Sequence, residues 1–128
     1  MHNSKLIPII SKDSGVTPEL LSVNYDLWTL RLTLTNDNNQ AIYLDFESVE
    51  GFRVLDEGQL LEFWSKESPP YWVFEVISGG WLEQEAKRDG APFLEVGGKL
   101  KEYLVAGLNE CVSVLAFAEP EIRIQDNT

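Results

Sequence analysis

This chain is poor in cysteine, histidine, methionine and positive charge. Its 128 residues include one Cys, one His and one Met, and 10 Lys and Arg stand against 21 Asp and Glu. A single cysteine, Cys111, excludes an internal disulfide framework and points to a reducing compartment, the cytoplasm. One Cys and one His fall short of the ligand set of a zinc site. Asn36-Asp37-Asn38-Asn39 supplies oxygens but lacks the spaced acids and terminal Glu of an EF-hand, so it reads as a turn. There is no Gly-x-Ser-x-Gly elbow and no Ser-His-Asp set. Val96-Gly97-Gly98-Lys99 lacks the spacing of a phosphate-binding loop. Long hydrophobic runs are missing too: nothing approaches the roughly 18 apolar residues that span a bilayer. Leu6-Ile7-Pro8-Ile9-Ile10 is too short, and broken by Pro8, to be a signal-peptide core. The expectation is a protein with no metal, no cofactor and no membrane span.

What is present is negative charge. The formal net charge is −11, and it is uneven. Between Asp37 and Glu62 lie seven acids (Asp37, Asp45, Glu47, Glu50, Asp56, Glu57 and Glu62) and one base, Arg53. Such a surplus mildly destabilises a compact chain by self-repulsion, so folding alone does not call for it. Nucleic acid and anionic membranes are poor partners for it. A basic protein or a cationic ligand suits it better.

Hydrophobic residues make up 44% of the chain, with four Trp, four Tyr and six Phe, enough to build a core. The length fits one domain over 1–128, with 1–22 an irregular arm or edge strand and 23–128 a β-rich core. Residues 23–35 alternate, placing Trp28, Leu30, Leu32 and Leu34 on one face and Thr29, Arg31, Thr33 and Thr35 on the other. After the Asn-rich turn, 40–47 alternates as well: Ile42, Leu44 and Phe46 point inward, and Tyr43, Asp45 and Glu47 point outward. The two form a hairpin. Residues 51–55 continue as a short strand. Asp56 then resembles an N-cap, with Gln59 in capping-box position, for a helix over 57–66 that Ser68-Pro69-Pro70 stops. Residues 71–77 are apolar on both faces and suit a central strand. Residues 81–89 read as a second helix or an irregular strand. A hairpin joins 92–96 to 100–108 across Gly97-Gly98, 111–118 is buried on both sides, and 121–125 is a final edge strand. Short connections favour antiparallel pairing. The fold class is α+β and mostly β: an antiparallel sheet curled into a sandwich or half-barrel, with about eight strands and one or two short helices.

Chemistry-bearing residues are few. Cys111 opens an apolar strand with no His to partner it, which suits a structural thiol. Glu75 interrupts an apolar central strand. It is either a carboxyl whose burial would suit it to general acid work, or a half-exposed strand position paired with Arg31 or Arg53. Asp45 and Glu47 share a strand face, as solvated edge decoration or as part of a docking surface. Tyr43, Tyr71 and Trp81 are the aromatics best placed to reach a partner.

Several segments form a recognisable group: Gly51-Phe52-Arg53-Val54-Leu55-Asp56-Glu57 leading into Leu60-Leu61-Glu62-Phe63-Trp64, then Gly80-Trp81-Leu82, Glu102-Tyr103-Leu104-Val105-Ala106-Gly107 and Glu110-Cys111-Val112-Ser113-Val114-Leu115. Together, over residues 50–118, they resemble the small bacterial immunity proteins of polymorphic-toxin and contact-dependent growth inhibition systems. The resemblance implies a cytoplasmic protein, not an enzyme, that binds one cognate toxin domain and blocks it. Many such toxins are basic nucleases. The partner-binding surface expected from the charge pattern comprises Asp45, Glu47, Glu50, Asp56 and Glu57, with Tyr43 as a packed anchor, on a chain that is a monomer or weak homodimer when free. Three other readings stand beside it. One is a small-ligand binder whose hollow is lined by aromatics such as Trp72 and Phe74. Another is an acid-only enzyme with Glu75 facing a second carboxylate. The third is a non-catalytic subunit with an exposed apolar patch.

Overall fold

The structure, a computed structural model, describes residues 5–11, 17–56, 71–78, 80–86, 100–108 and 110–126. These form nine strands and one helix: β1 (Lys5–Ser11), β2 (Glu19–Tyr25), β3 (Thr29–Thr35), β4 (Gln40–Glu47), β5 (Val49–Asp56), β6 (Tyr71–Ser78), α1 (Trp81–Ala86), β7 (Lys101–Ala106), β8 (Glu110–Ala116) and β9 (Glu121–Asp126). One sheet runs β1-β6-β7-β8-β5 and the other β2-β3-β4-β9. Every pairing is antiparallel. The two sheets pack as a sandwich that does not close into a barrel.

Alternation in the sequence sets which residues enter the sandwich. Leu30, Leu32 and Leu34 of β3 and Leu44 and Phe46 of β4 are fully buried, and they meet Val73, Tyr103, Val105, Val112 and Val114 of the opposite sheet. Phe46 and Tyr103 touch across the interface with ring centroids 5.7 Å apart. Burying each such side chain contributes about 1.5–3 kcal/mol. The β3–β4 turn forms as its composition requires: the Asn36 side-chain oxygen accepts from the N–H groups of Asn38 and Gln40, and Asn39 takes a left-handed φ of 60°.

β6, β7 and β8 are interior strands buried on both faces. Phe74, Val76, Leu104, Ala106 and Cys111 form a second apolar cluster on the outer face of the five-stranded sheet, with Leu55 packed against it. Gly107 closes the β7–β8 turn. Its N–H donates to the Glu110 carbonyl at 2.9 Å, and a Cβ there would lie 2.8 Å from that same oxygen.

One expectation changes. Residues 23–35 are not one strand. The chain turns at Asp26–Trp28 between β2 and β3, and Trp28 leaves the apolar face to stand in solvent. Residues 5–11 and 19–25 are both edge strands, each bordering a different sheet. Of the two expected helices, 81–86 forms, while 57–66 lies outside the described residues, as does the strand expected at 92–96. No helix among the described residues is long and apolar enough to cross a membrane.

Candidate functional site

The outer face of the four-stranded sheet carries the polar residues that β3, β4 and β9 turn away from the core. Register sets the neighbours: Arg31 lies opposite Asp45, Asp45 opposite Glu121, Tyr43 opposite Arg123, and Thr29 opposite Glu47. At one end of this face an open groove of about 710 Å³ is lined by Asp26, Asp45, Glu47, Glu119 and Glu121, with Arg31 as the one base. Asn24, Tyr25, Thr29 and Ala118 complete its walls. The β2–β3 turn, the end of β4 and the start of β9 converge here, and each brings at least one carboxylate.

These carboxylates differ. Asp45 accepts two hydrogen bonds from Arg31, at 2.8 and 2.9 Å, and a contact from Arg123 at 3.5 Å. Its side chain is 15% exposed. The Arg31 hydrogen bonds hold its carboxyl below the ordinary range, against the desolvation of burial. Both guanidinium groups also lie over the Tyr43 ring, at 5.1 and 5.6 Å from its centroid. Asp45, Arg31, Arg123 and Tyr43 therefore satisfy one another, and the charge of Asp45 is largely balanced within the sheet. The two arginines also relieve the like-charge pairing of Asp45 with Glu121. Glu47, Glu119 and Glu121 are exposed and form no ion pair among the described residues, so they supply the outward field.

Asp26 does a different job. Its Oδ1 accepts from the backbone N–H of Thr29 at 2.7 Å and of Trp28 at 2.9 Å, and these bonds lower its pKa. The brace holds Leu27 at a φ of 78°, a left-handed conformation rare for a side chain with a Cβ. Leu27 and Trp28 project from this tip, 78% and 82% exposed.

Of the residues expected to bind a partner, the fold brings Asp45, Glu47 and Tyr43 onto this face, Tyr43 half-buried beneath the arginines. Glu50 is exposed on β5, past the corner where Ser48 leads the chain into the other sheet. Asp56 ends β5 opposite Glu110, far along that strand. Glu57 lies outside the described residues. Asp26, Glu119 and Glu121 lie outside the acid-rich 37–62 stretch, so the charge pattern does not single them out. The alternation of Glu121-Ile122-Arg123-Ile124 puts Glu121 and Arg123 on one polar face without saying which strand lies beside it, whereas the turn at Asp26 carries no Gly or Pro to mark it.

Glu75 pairs with neither Arg31 nor Arg53. It lies 3.9 Å from Lys101, with its side chain 18% exposed. Across from it on β7, Tyr103 is fully buried, and burial, reinforced by Glu75 and Glu119, pushes its hydroxyl up to about 12. Among the described residues the buried acid is Glu102, on the outer face of the five-stranded sheet and 1% exposed. Its Oε1 accepts the Leu82 N–H at 2.8 Å, at the start of α1. Burial raises its pKa, against the N–H groups of Leu82 and Trp81 and the charge of Arg53. Trp81 is half-buried under the Arg53 guanidinium, 4.7 Å from ring centroid to Cζ, and the side chain of Tyr71 lies outside what is described. Trp72 and Phe74 are both 3% exposed and belong to different apolar clusters. Among the described residues no group of three or more His, Cys, Asp and Glu is arranged to hold a metal ion. No family model, no curated protein and no solved structure matches the chain.

Proposed function

We propose that this chain is an immunity protein: a stoichiometric inhibitor that seats its acidic groove on a basic toxin domain and blocks it without making or breaking a bond. The observation that carries the reading is the groove itself, where five carboxylates surround one arginine on a chain of net charge −11. A nuclease presents Lys and Arg to phosphates, so its cleft is positive. Glu47, Glu119 and Glu121 would meet that cleft as phosphate mimics. Complementary fields raise association towards about 10⁸ M⁻¹s⁻¹ at low salt. Fast capture matters to a protector, because one free toxin molecule does damage. On this reading the protein works in the cytoplasm, where Cys111 stays a thiol.

A large protein with a basic C-terminal domain should be encoded immediately upstream, and the test is co-expression with that domain. The chain should rescue growth and co-purify with that domain one to one. Replacing Glu47, Glu119 and Glu121 by Lys should slow association by about tenfold or more at low salt and flatten its salt dependence. Failure to rescue, or a rate indifferent to both charge and salt, overturns the reading.

A further inference from the structure

We infer that Leu27 and Trp28 are the apolar anchor of the docking surface, inserted into a recess on the basic partner while the groove beside them holds the partner's cations. The inference rests on the inhibitor reading above and names the part of the surface that sets its residence time. Leu27 and Trp28 are the two most exposed large hydrophobic side chains among the described residues, and neither joins an apolar cluster. They follow each other at a tip that the free protein holds rather than leaves slack. Asp26 Oδ1 accepts from both Thr29 and Trp28, and the Asp26 N–H donates to the Thr29 carbonyl at 3.3 Å. The backbone at Leu27 is held left-handed, a conformation that persists only where its surroundings impose it. Nothing in the core gains from this arrangement. Its product is two large apolar side chains presented together in water.

The neighbourhood selects the occupant. Tyr25, Asp26 and Thr29, which flank the tip, are also walls of the groove, so one partner surface can cover the tip and reach Glu47, Glu119 and Glu121. A second copy of this chain would bring another −11 of charge to that place, and an anionic bilayer would be repelled as well. A basic protein with an apolar recess bordered by Lys or Arg fits both halves. Hot spots of this kind are dominated by Trp, filling a desolvated pocket inside a polar rim. The indole face also accepts a guanidinium or ammonium group.

Association and dissociation with the same upstream-encoded basic domain separate the anchor from the field. Trp28→Ala should lower affinity by about 30-fold or more, mainly through faster dissociation, because hot-spot losses appear in the off-rate. Leu27→Gly should also weaken binding, yet raise the Tm, since glycine accepts the left-handed backbone without penalty. The Glu47, Glu119 and Glu121 to Lys triple variant should act on the on-rate instead. Full binding by Trp28→Ala and Leu27→Gly, within about twofold of wild type, while the triple variant fails, overturns the anchor and leaves the inhibitor reading standing. If the wild-type chain itself does not bind the domain, both fall. A wild-type dimer in light scattering that Trp28→Ala dissociates makes a second copy the occupant, and overturns the inference as well.

Discussion

The outer faces of the two sheets put carboxylates to opposite uses. On the four-stranded sheet they crowd an open groove, and the one that is mostly buried, Asp45, is matched by Arg31 and Arg123. On the five-stranded sheet Glu102 is enclosed beneath α1, with one oxygen accepting from Leu82 and the other, Oε2, without a hydrogen bond. Arg53 Nε and Ser113 Oγ, opposite each other on β5 and β8, are also buried and form no hydrogen bond. The same functional group is thus held ionised by partners in one place and pushed towards its neutral form by burial in the other. Exposure, more than the count of acids, separates the solvent-facing carboxylates of one sheet from the enclosed one of the other.

The contrast can be broken at its buried side with the largest effect. Glu102→Ala opens a cavity and leaves the Leu82 N–H without its acceptor, a loss of about 2–4 kcal/mol in urea unfolding. Gly80→Ala should cost about 1–3 kcal/mol, because its Cβ would lie 2.6 Å from Glu102 Oε1 and 2.7 Å from Val76 Cγ1. Glu102→Gln keeps the acceptor and removes the charge, so it should match or exceed wild type at neutral pH. The pH dependence sharpens the point. Glu102 has a raised folded pKa, so its cost is absent below about 4.5, its ordinary value, and grows as pH rises through the folded value. Chemical denaturation between pH 4 and 8 should show a fall in wild-type stability that the Gln variant lacks. Asp45 has the opposite sign. Its lowered folded pKa gives stability that is present above 3.8 and lost as pH falls below it. Asp45→Asn should therefore cost about 1 kcal/mol at pH 7 and little at the acid end of the titration. The smallest effect on stability belongs to the triple replacement of Glu47, Glu119 and Glu121 by Lys, within about 0.5 kcal/mol by thermal melting, although its effect on binding is the greatest of the groove substitutions.

The sequence revealed most where alternation was clean. The β3–β4 hairpin, its Asn-rich turn, the two-sided burial of β6 and β8 and the edge position of β9 all follow from period and turn chemistry. The groove was half legible. Asp45 and Glu47 share a face by parity alone, but their neighbours on β9 come from a strand more than seventy residues later, which local pattern cannot supply. Trp28 misled because apolar residues at period two read as core, and the turn before it uses an aspartate brace and a left-handed leucine in place of glycine. Glu75 stands out in the sequence as an acid in an apolar strand, while Glu102 opens the equally apolar Glu-Tyr-Leu-Val-Ala run and does not. Which of the two is enclosed depends on α1 and Gly80, whose placement on the sheet is a tertiary fact.

One corner of the fold has a further consequence. Ser48 alone separates β4 from β5, at a φ of 54°, so a single ribbon leaves one sheet and enters the other with no slack. Glu47, the last residue of β4, stands directly before it. A wall anchored in this way is already in its final shape, and the roughly 1–2 kcal/mol per residue that ordering a loose segment would consume need not be drawn from the affinity. On the inhibitor reading proposed above, the molecule would meet its counterpart as a rigid die rather than a closing hand.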